Sequence, residues 1–339
     1  MGNAFEPEVR RACERDRVDG EGRILIDPNA WSADGATALA EWTPSEDGKL
    51  VTYAVQDGGT DWRTVRVIDV ATGKILPDEL KWLKFGGGVD WAKDGSGFYY
   101  SRFPEPAAGQ TFQASSRNQK VYFHKLGTAQ AADRLIYATP ANPDYGHGAT
   151  ISEDGRWLVI TTSVGTDDRY EVTLIDLKKK GAKPRTLIKG FDNNYSYVGN
   201  EGQTFFFVTN DGAPKLKLVS LDVRQPRPVA HTVIAEDAAT LEGVSLIGSD
   251  FLSVNPRPSK RIASGLSATI VRPCRSLTTS CSVLGSMCTT TAAVRKPPGS
   301  GCTATLRCRT AREILPECRH IRGNAIWRRS SSAYRSRTR

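Results

Sequence analysis

Short runs in which apolar and polar residues alternate fill residues 24–255, and a turn signal opens run after run. Ser45-Glu46-Asp47-Gly48 precedes Lys49-Leu50-Val51-Thr52-Tyr53-Ala54, and Asp94-Gly95-Ser96-Gly97 precedes Phe98-Tyr99-Tyr100-Ser101. Ser152-Glu153-Asp154-Gly155 precedes Arg156-Trp157-Leu158-Val159-Ile160-Thr161, and a weaker copy, Asn200-Glu201-Gly202-Gln203, precedes Thr204-Phe205-Phe206-Phe207-Val208. Asp-Gly suits a tight turn because glycine accepts positive φ, and the β-branched and aromatic residues that follow suit a pleated strand. Each unit therefore predicts a hairpin.

The hairpins recur at intervals of about 47, 60 and 47 residues, and the longer interval holds an extra loop from Pro104 to Asn118. Each unit continues with a further strand, such as Val65-Arg66-Val67-Ile68-Asp69, Val121-Tyr122-Phe123-His124-Lys125, Val172-Thr173-Leu174-Ile175-Asp176 or Leu216-Lys217-Leu218-Val219-Ser220. A period of this length with about four short strands per unit predicts a β-propeller, one blade per repeat. No long 3.6-period apolar stripe separates the strands, which argues against an α/β fold. The repeats predict an all-β partial propeller with blades at 38–85, 86–143, 144–190 and 191–236. A fifth blade opens at 241–254.

The pattern stops near residue 255, and the composition changes with it. Residues 1–255 carry 29 Lys and Arg against 35 Asp and Glu, whereas residues 256–339 carry 17 against 2. The net charge of +9 over 339 residues thus describes neither part, and it is no argument for a nucleic-acid or membrane partner. Three segments follow: 1–20 without blade pattern, 21–255 as an incomplete propeller, and 256–339 as a disordered basic tail rich in Arg, Ser, Thr and Cys. Loss of blade pattern and acidic residues at one point predicts out-of-frame translation of a G+C-rich gene and hence a truncated product. A nucleic-acid arm and a disulfide-bonded extension are the alternatives. The amino terminus has no apolar signal core and no run is long enough to cross a bilayer, so the chain as written is expected to be cytoplasmic. A periplasmic origin stays open if the start is truncated.

Candidate chemistry is sparse. Cys274, Cys281, Cys288, Cys302, Cys308 and Cys318 contain no C-x-x-C pair, so neither a metal nor a cofactor is expected. Gly86-Gly87-Gly88 is not followed by a helix pattern that could present its amino terminus to a phosphate. Lys178-Lys179-Lys180 and the acidic pairs Glu46/Asp47, Glu153/Asp154 and Asp167/Asp168 read as solvated turns. Ser96 between glycines lacks the G-x-S-x-G context of a nucleophile elbow. His124, His147, His231 and His320 are expected in structural or surface roles, with no nucleophile and acidic partner beside them. The catalytic set is therefore read as empty.

The ordered landmarks Ile26-Asp27-Pro28-Asn29, Asp61-Trp62-Arg63-Thr64-Val65, Leu80-Lys81-Trp82-Leu83-Lys84-Phe85, Tyr122-Phe123-His124-Lys125-Leu126-Gly127-Thr128 and Tyr195-Ser196-Tyr197-Val198-Gly199-Asn200 resemble the propeller of the prolyl oligopeptidase family, a family of serine-type endopeptidases. The resemblance is collinear from about Asp16 or Gly20 to Val254. It implies a seven-bladed propeller stacked on an α/β-hydrolase domain that cleaves short peptides after proline. In that arrangement the propeller gates substrate while a Ser, a His and an Asp of the hydrolase domain perform acyl transfer. Those residues belong to parts of the family sequence that this chain does not match, so the chain is expected to be inactive by itself. By the same resemblance Phe85 faces the substrate cavity, and Ser163 stands where the family commonly places an arginine reaching towards the peptide. The implied partners are the hydrolase domain and short proline-containing peptides. Open blade edges are expected to favour self-association. A stand-alone propeller binding proteins or anionic partners is the alternative reading.

Overall fold

The computed structural model describes residues 12–14, 23–32, 35–58, 60–84, 88–256, 266–272 and 302–305. They form one two-stranded and five four-stranded antiparallel sheets, with two short 3-10 turns at Pro28–Ala30 and Gln130–Ala132. The small sheet pairs β1 (Ala12–Glu14) with β2 (Arg23–Ile26). The first blade is β3 (Ala38–Pro44), β4 (Leu50–Gln56), β5 (Arg63–Asp69) and β6 (Ile75–Leu83). The second is β7 (Asp90–Trp91), β8 (Gly97–Arg102), β9 (Lys120–Lys125) and β10 (Arg134–Ala138). The third is β11 (Tyr145–Ile151), β12 (Trp157–Val164), β13 (Glu171–Asp176) and β14 (Arg185–Ile188). The fourth is β15 (Tyr195–Glu201), β16 (Thr204–Thr209), β17 (Lys217–Asp222) and β18 (His231–Ile234). In each of these sheets the strands lie in chain order, the arrangement of a propeller blade.

The fifth sheet extends past the expected opening. It contains β19 (Gly243–Ile247), β20 (Asp250–Pro256), β21 (Leu266–Arg272) and β22 (Cys302–Thr305). Its last two strands come from the basic segment. Leu266-Ser267-Ala268-Thr269-Ile270-Val271 retains enough alternation and β-branching to pair with β20, Phe251 opposite Val271 and Ser253 opposite Thr269. The other residues of 257–339 lie outside the described residues.

The turn chemistry explains the hairpins. Ser45 Oγ donates to Asp47 Oδ1 at 2.9 Å and accepts from the Leu50 N–H at 3.0 Å, while Gly48 takes a φ of +70°. The third blade repeats this with Ser152, Asp154 and Trp157, and with Gly155 at +65°. The Lys49 side chain and backbone N–H hold the Asp47 carboxyl down at about 2.

Every blade core is shared. Period-two alternation sends consecutive side chains to opposite faces of a strand, and here each face packs on a different neighbour. Phe98 and Tyr100 of β8 join Ala54, Val65, Val67 and Leu80 of the first blade, while Tyr99 joins Ile151, Leu158 and Ile160 of the third. Trp157 and Val159 of β12 join Phe205, Phe207 and Val219 of the fourth, whose Phe206 turns instead to Phe251 of the fifth. The face of the first blade away from the second is covered by Ile26, Leu25 and Trp31, with Trp31 stacked 6.0 Å from Tyr53. The inner strands are also stitched together: Trp91 Nε1 donates to the Thr43 carbonyl at 3.0 Å and Ile151 N–H to Asp90 Oδ2 at 3.0 Å.

Candidate functional site

Three stretches of chain meet at one end of the first blade and enclose a cavity of about 300 Å³ lined by Gln56, Thr60, Asp61, Trp62, Lys84, Thr111 and Phe112. Gln56 ends β4, residues 60–62 complete the turn into β5, Lys84 follows β6, and Thr111 and Phe112 belong to the long loop between β8 and β9. Trp62 organises the wall. Its N–H donates to Thr60 Oγ1 at 2.8 Å, and its indole N–H donates to the Thr111 carbonyl at 2.8 Å, tethering the loop to the first blade. Trp82 and Phe103 meet its ring edge-on, with centroids at 5.6 and 6.0 Å.

Lys84 lies over the Trp62 ring at 4.8 Å from its centroid and 3.9 Å from Asp61 Oδ2. Its side chain is only 14% exposed, so the ammonium is partly desolvated between an aromatic face and a carboxylate. Phe112, 79% exposed, is an apolar side chain that the fold leaves in solvent at the rim. Trp82, which backs Trp62, has a φ of +68°, uncommon for a bulky residue. The Phe103 N–H holds its carbonyl at 3.0 Å. The wall is thus built on strained backbone held at the Trp82 carbonyl.

An aromatic face with an ammonium, a carboxylate and an amide around it can take a flat apolar ring and the carbonyl and N–H groups beside it. The lining holds no imidazole, and its one carboxylate, Asp61, lies beside Lys84 while Thr60 Oγ1 accepts the Trp62 N–H.

The residues singled out from the sequence are scattered. Phe85 lies outside the described residues, as do Gly86, Gly87 and His320. Ser163 sits on β12 opposite Gly146. The Ser96 hydroxyl donates to Asp94 Oδ1 at 2.7 Å within its turn. His231 is exposed on β18, and Asp167 is ion-paired with Arg169 in an open loop. His147 is buried between the hydroxyls of Thr139 and Thr162, each 3.0 Å from a ring nitrogen, and burial pushes its imidazole down to about 4. Among the described residues no group of three His, Cys, Asp or Glu side chains is arranged to hold a metal ion.

His124 corrects the sequence reading. It was expected to have no acidic partner, yet both its ring nitrogens meet carboxylates, Nε2 with Asp78 Oδ1 at 3.0 Å and Nδ1 with Asp133 Oδ1 at 2.7 Å. All three side chains are buried. The signal was present in β6, where Asp78 shares the buried register of Leu80, an unusual place for a carboxylate. Among the described residues no serine, threonine or cysteine joins the cluster in hydrogen-bonding distance; its hydroxyl is that of Tyr100, which donates to Asp133 Oδ2 at 2.6 Å.

The chain matches the family described as prolyl oligopeptidase, N-terminal beta-propeller domain, over residues 8–261. It is 35% identical over 236 residues to a prolyl endopeptidase of Elizabethkingia meningoseptica, a match covering 69% of this chain and 33% of that protein. It is 30% identical over 257 residues to prolyl oligopeptidase A of Amanita bisporigera, covering 70% and 34%. Among solved structures, a chain from a mechanistic comparison of two prolyl endopeptidases superposes with a TM-score of 0.64 at 41% identity, covering 73% of this chain and 34% of that one. Prolyl oligopeptidase B of Galerina marginata, bound to a 35mer hydrolysis and macrocyclization substrate, superposes with a TM-score of 0.65 at 28% identity, covering 74% and 36%. The chain spans about a third of the length of these relatives.

Proposed function

The chain belongs to the prolyl oligopeptidase family through its N-terminal β-propeller domain, and we propose that it serves as the substrate-gating propeller of a serine endopeptidase acting on short proline-containing peptides. Peptide-bond chemistry falls to an α/β-hydrolase domain, because no described residue combines nucleophile, base and acidic orienter. The observation that carries the reading is the Trp62 wall with Lys84 over its ring and Asp61 beside Lys84. A prolyl ring can lie on the indole and Phe112 while Lys84 donates to a peptide carbonyl and Asp61 accepts a peptide N–H. The family resemblance adds Phe85, the residue after Lys84, as a further peptide contact.

Calorimetric titration with a blocked Gly-Pro-containing tetrapeptide tests this. Saturable binding is expected, weakened about tenfold or more in Trp62→Ala, since truncating a buried aromatic anchor commonly removes more than about 1.4 kcal/mol. Equal affinity of parent and variant would remove the cavity from the argument. The chain alone is expected to leave a proline-containing chromogenic peptide intact. Turnover that a serine-directed inhibitor abolishes would overturn the assignment of chemistry to a separate domain.

A further inference from the structure

The Asp78, His124 and Asp133 side chains belong to a closed ring of hydrogen bonds that starts and ends on β6. From β6, Asp78 Oδ1 meets His124 Nε2 at 3.0 Å, and His124 Nδ1 meets Asp133 Oδ1 at 2.7 Å. Asp133 Oδ2 accepts from the Tyr100 hydroxyl, whose oxygen accepts in turn from Gln130 Nε2 at 3.2 Å. Gln130 returns to β6, accepting the Lys81 N–H at 3.1 Å and donating to the Lys81 carbonyl at 3.0 Å. Asp78 Oδ1 also accepts the Gly127 N–H at 2.6 Å. β6 is the outer strand of the first blade, and every other member belongs to the second.

The ring needs a proton. A neutral imidazole has one N–H and one lone pair, so with two ionised carboxylates one short contact would set a lone pair against a carboxylate oxygen. An imidazolium donates to both. Without it two carboxylates would share a buried site uncompensated. Among the described residues the surroundings offer no substitute charge at the bridge. From β8, Tyr100 faces it, and the Arg102 guanidinium beyond lies over the Tyr122 ring at 4.4 Å. From β10, Arg134 stacks on Phe123 on the other face of β9. Glu79 and Lys81, on the exposed register of β6, pair with each other, and Glu79 pairs also with Arg66.

We propose that this ring is a proton-dependent latch: with a proton held between Asp78, His124 and Asp133 the outer edge of the first blade is locked to the second, and loss of that proton frees the end of β6 that leads into Lys84 and the cavity. Burial pulls the imidazole down, but the hydrogen bonds and charges of Asp133 and Asp78 outweigh it and hold His124 above its ordinary 6.5. A raised folded-state value means that the latch contributes fully below pH 6.5 and is lost as pH rises through the folded value. The latch stands whether or not the cavity takes a peptide.

Two measurements on the full chain test it. Nitrogen-15 spectra of the imidazoles, with His124 identified by the signal missing in His124→Gln, are expected to show both ring nitrogens protonated near neutral pH, after exposed histidines have titrated. A His124 that is neutral there, or titrates with the exposed histidines, overturns the proposal. Hydrogen exchange at the Gly127 amide, corrected for intrinsic base catalysis, is expected to quicken about tenfold or more between about pH 6 and about pH 9. In Asp78→Asn that step should vanish. Unchanged Gly127 protection across the range overturns the latch. If Asp78→Asn fails to fold, the parent chain's imidazole spectra and exchange profile decide the matter.

Discussion

Replacing Phe206 with alanine is expected to weaken the seam between the fourth and fifth blades while sparing the one between the third and fourth. Three consecutive phenylalanines on β16 divide between two cores. Phe205 and Phe207 lie with Trp157, Val159 and Leu174, and Phe206 lies with Leu218 and Phe251. Phe206 is 5% exposed and its ring meets Phe251 edge-on at 4.7 Å. Removing so buried a ring costs about 3–5 kcal/mol, of which about 0.5–1.5 kcal/mol belongs to the ring pair. A double-mutant cycle of Phe206→Ala with Phe251→Ala should recover a coupling near that value. The cycle of Phe205→Ala with Phe206→Ala should couple by less than about 0.5 kcal/mol, although the residues are adjacent in sequence. Equilibrium urea unfolding followed by circular dichroism supplies the energies, provided that the slope with denaturant stays constant across the variants. Coupling between Phe205 and Phe206 as large as that between Phe206 and Phe251 would refute the assignment of alternate side chains to separate seams.

Further outcomes follow from the polar and backbone details. Ser152→Ala removes the oxygen that accepts the buried Trp157 N–H at 2.8 Å, so urea unfolding should show a loss of about 1–3 kcal/mol, and equal stability would contradict the turn analysis. A Cβ at Gly97 would lie 1.9 Å from the His124 carbonyl oxygen, and Gly97→Ala is expected to cost about 3 kcal/mol or to abolish folding. A thermal melt matching the parent would show that the strands part easily there. His147, held down at about 4 by burial, is neutral in the folded chain where the unfolded chain takes a proton near 6.5. Its contribution is therefore complete above pH 6.5 and lost as pH falls towards 4, by up to about 3 kcal/mol. The urea midpoint of His147→Gln should lack that limb, and an unaltered acid profile would count against it.

The blades were legible because their hairpins are local. Ser45-Glu46-Asp47-Gly48 and Ser152-Glu153-Asp154-Gly155 carry both the turn geometry and the start of the next strand, so a window of ten residues suffices. The cavity was not legible in the same way. Gln56, Lys84 and Phe112 come from three stretches, and no local signal shows that the Trp62 indole reaches the Thr111 carbonyl. The Asp78, His124 and Asp133 cluster was missed for a related reason. Each residue sits in an ordinary strand or turn, and only the register that aligns Asp78 with Leu80 shows that the carboxylate must point inward. The strands of residues 266–272 and 302–305 were hidden by composition, because the surrounding Arg and Ser outweighed a short alternating run.

The stitching of inner strands sets how a load would travel through the molecule. The bonds from Trp91 to Thr43 and from Ile151 to Asp90 bind the first three blades along their innermost strands, as thread binds folded sheets into a spine. Between the second and third blades the Gln119 side chain also grips an inner-strand residue, the His147 N–H at 2.6 Å. A torque that spreads these blades therefore turns them about the spine, and the outer strands travel farthest. The first two blades carry an additional clasp at the fore-edge, where Asp78 holds Gly127, so they should move together as one stiff board with the third swinging against them.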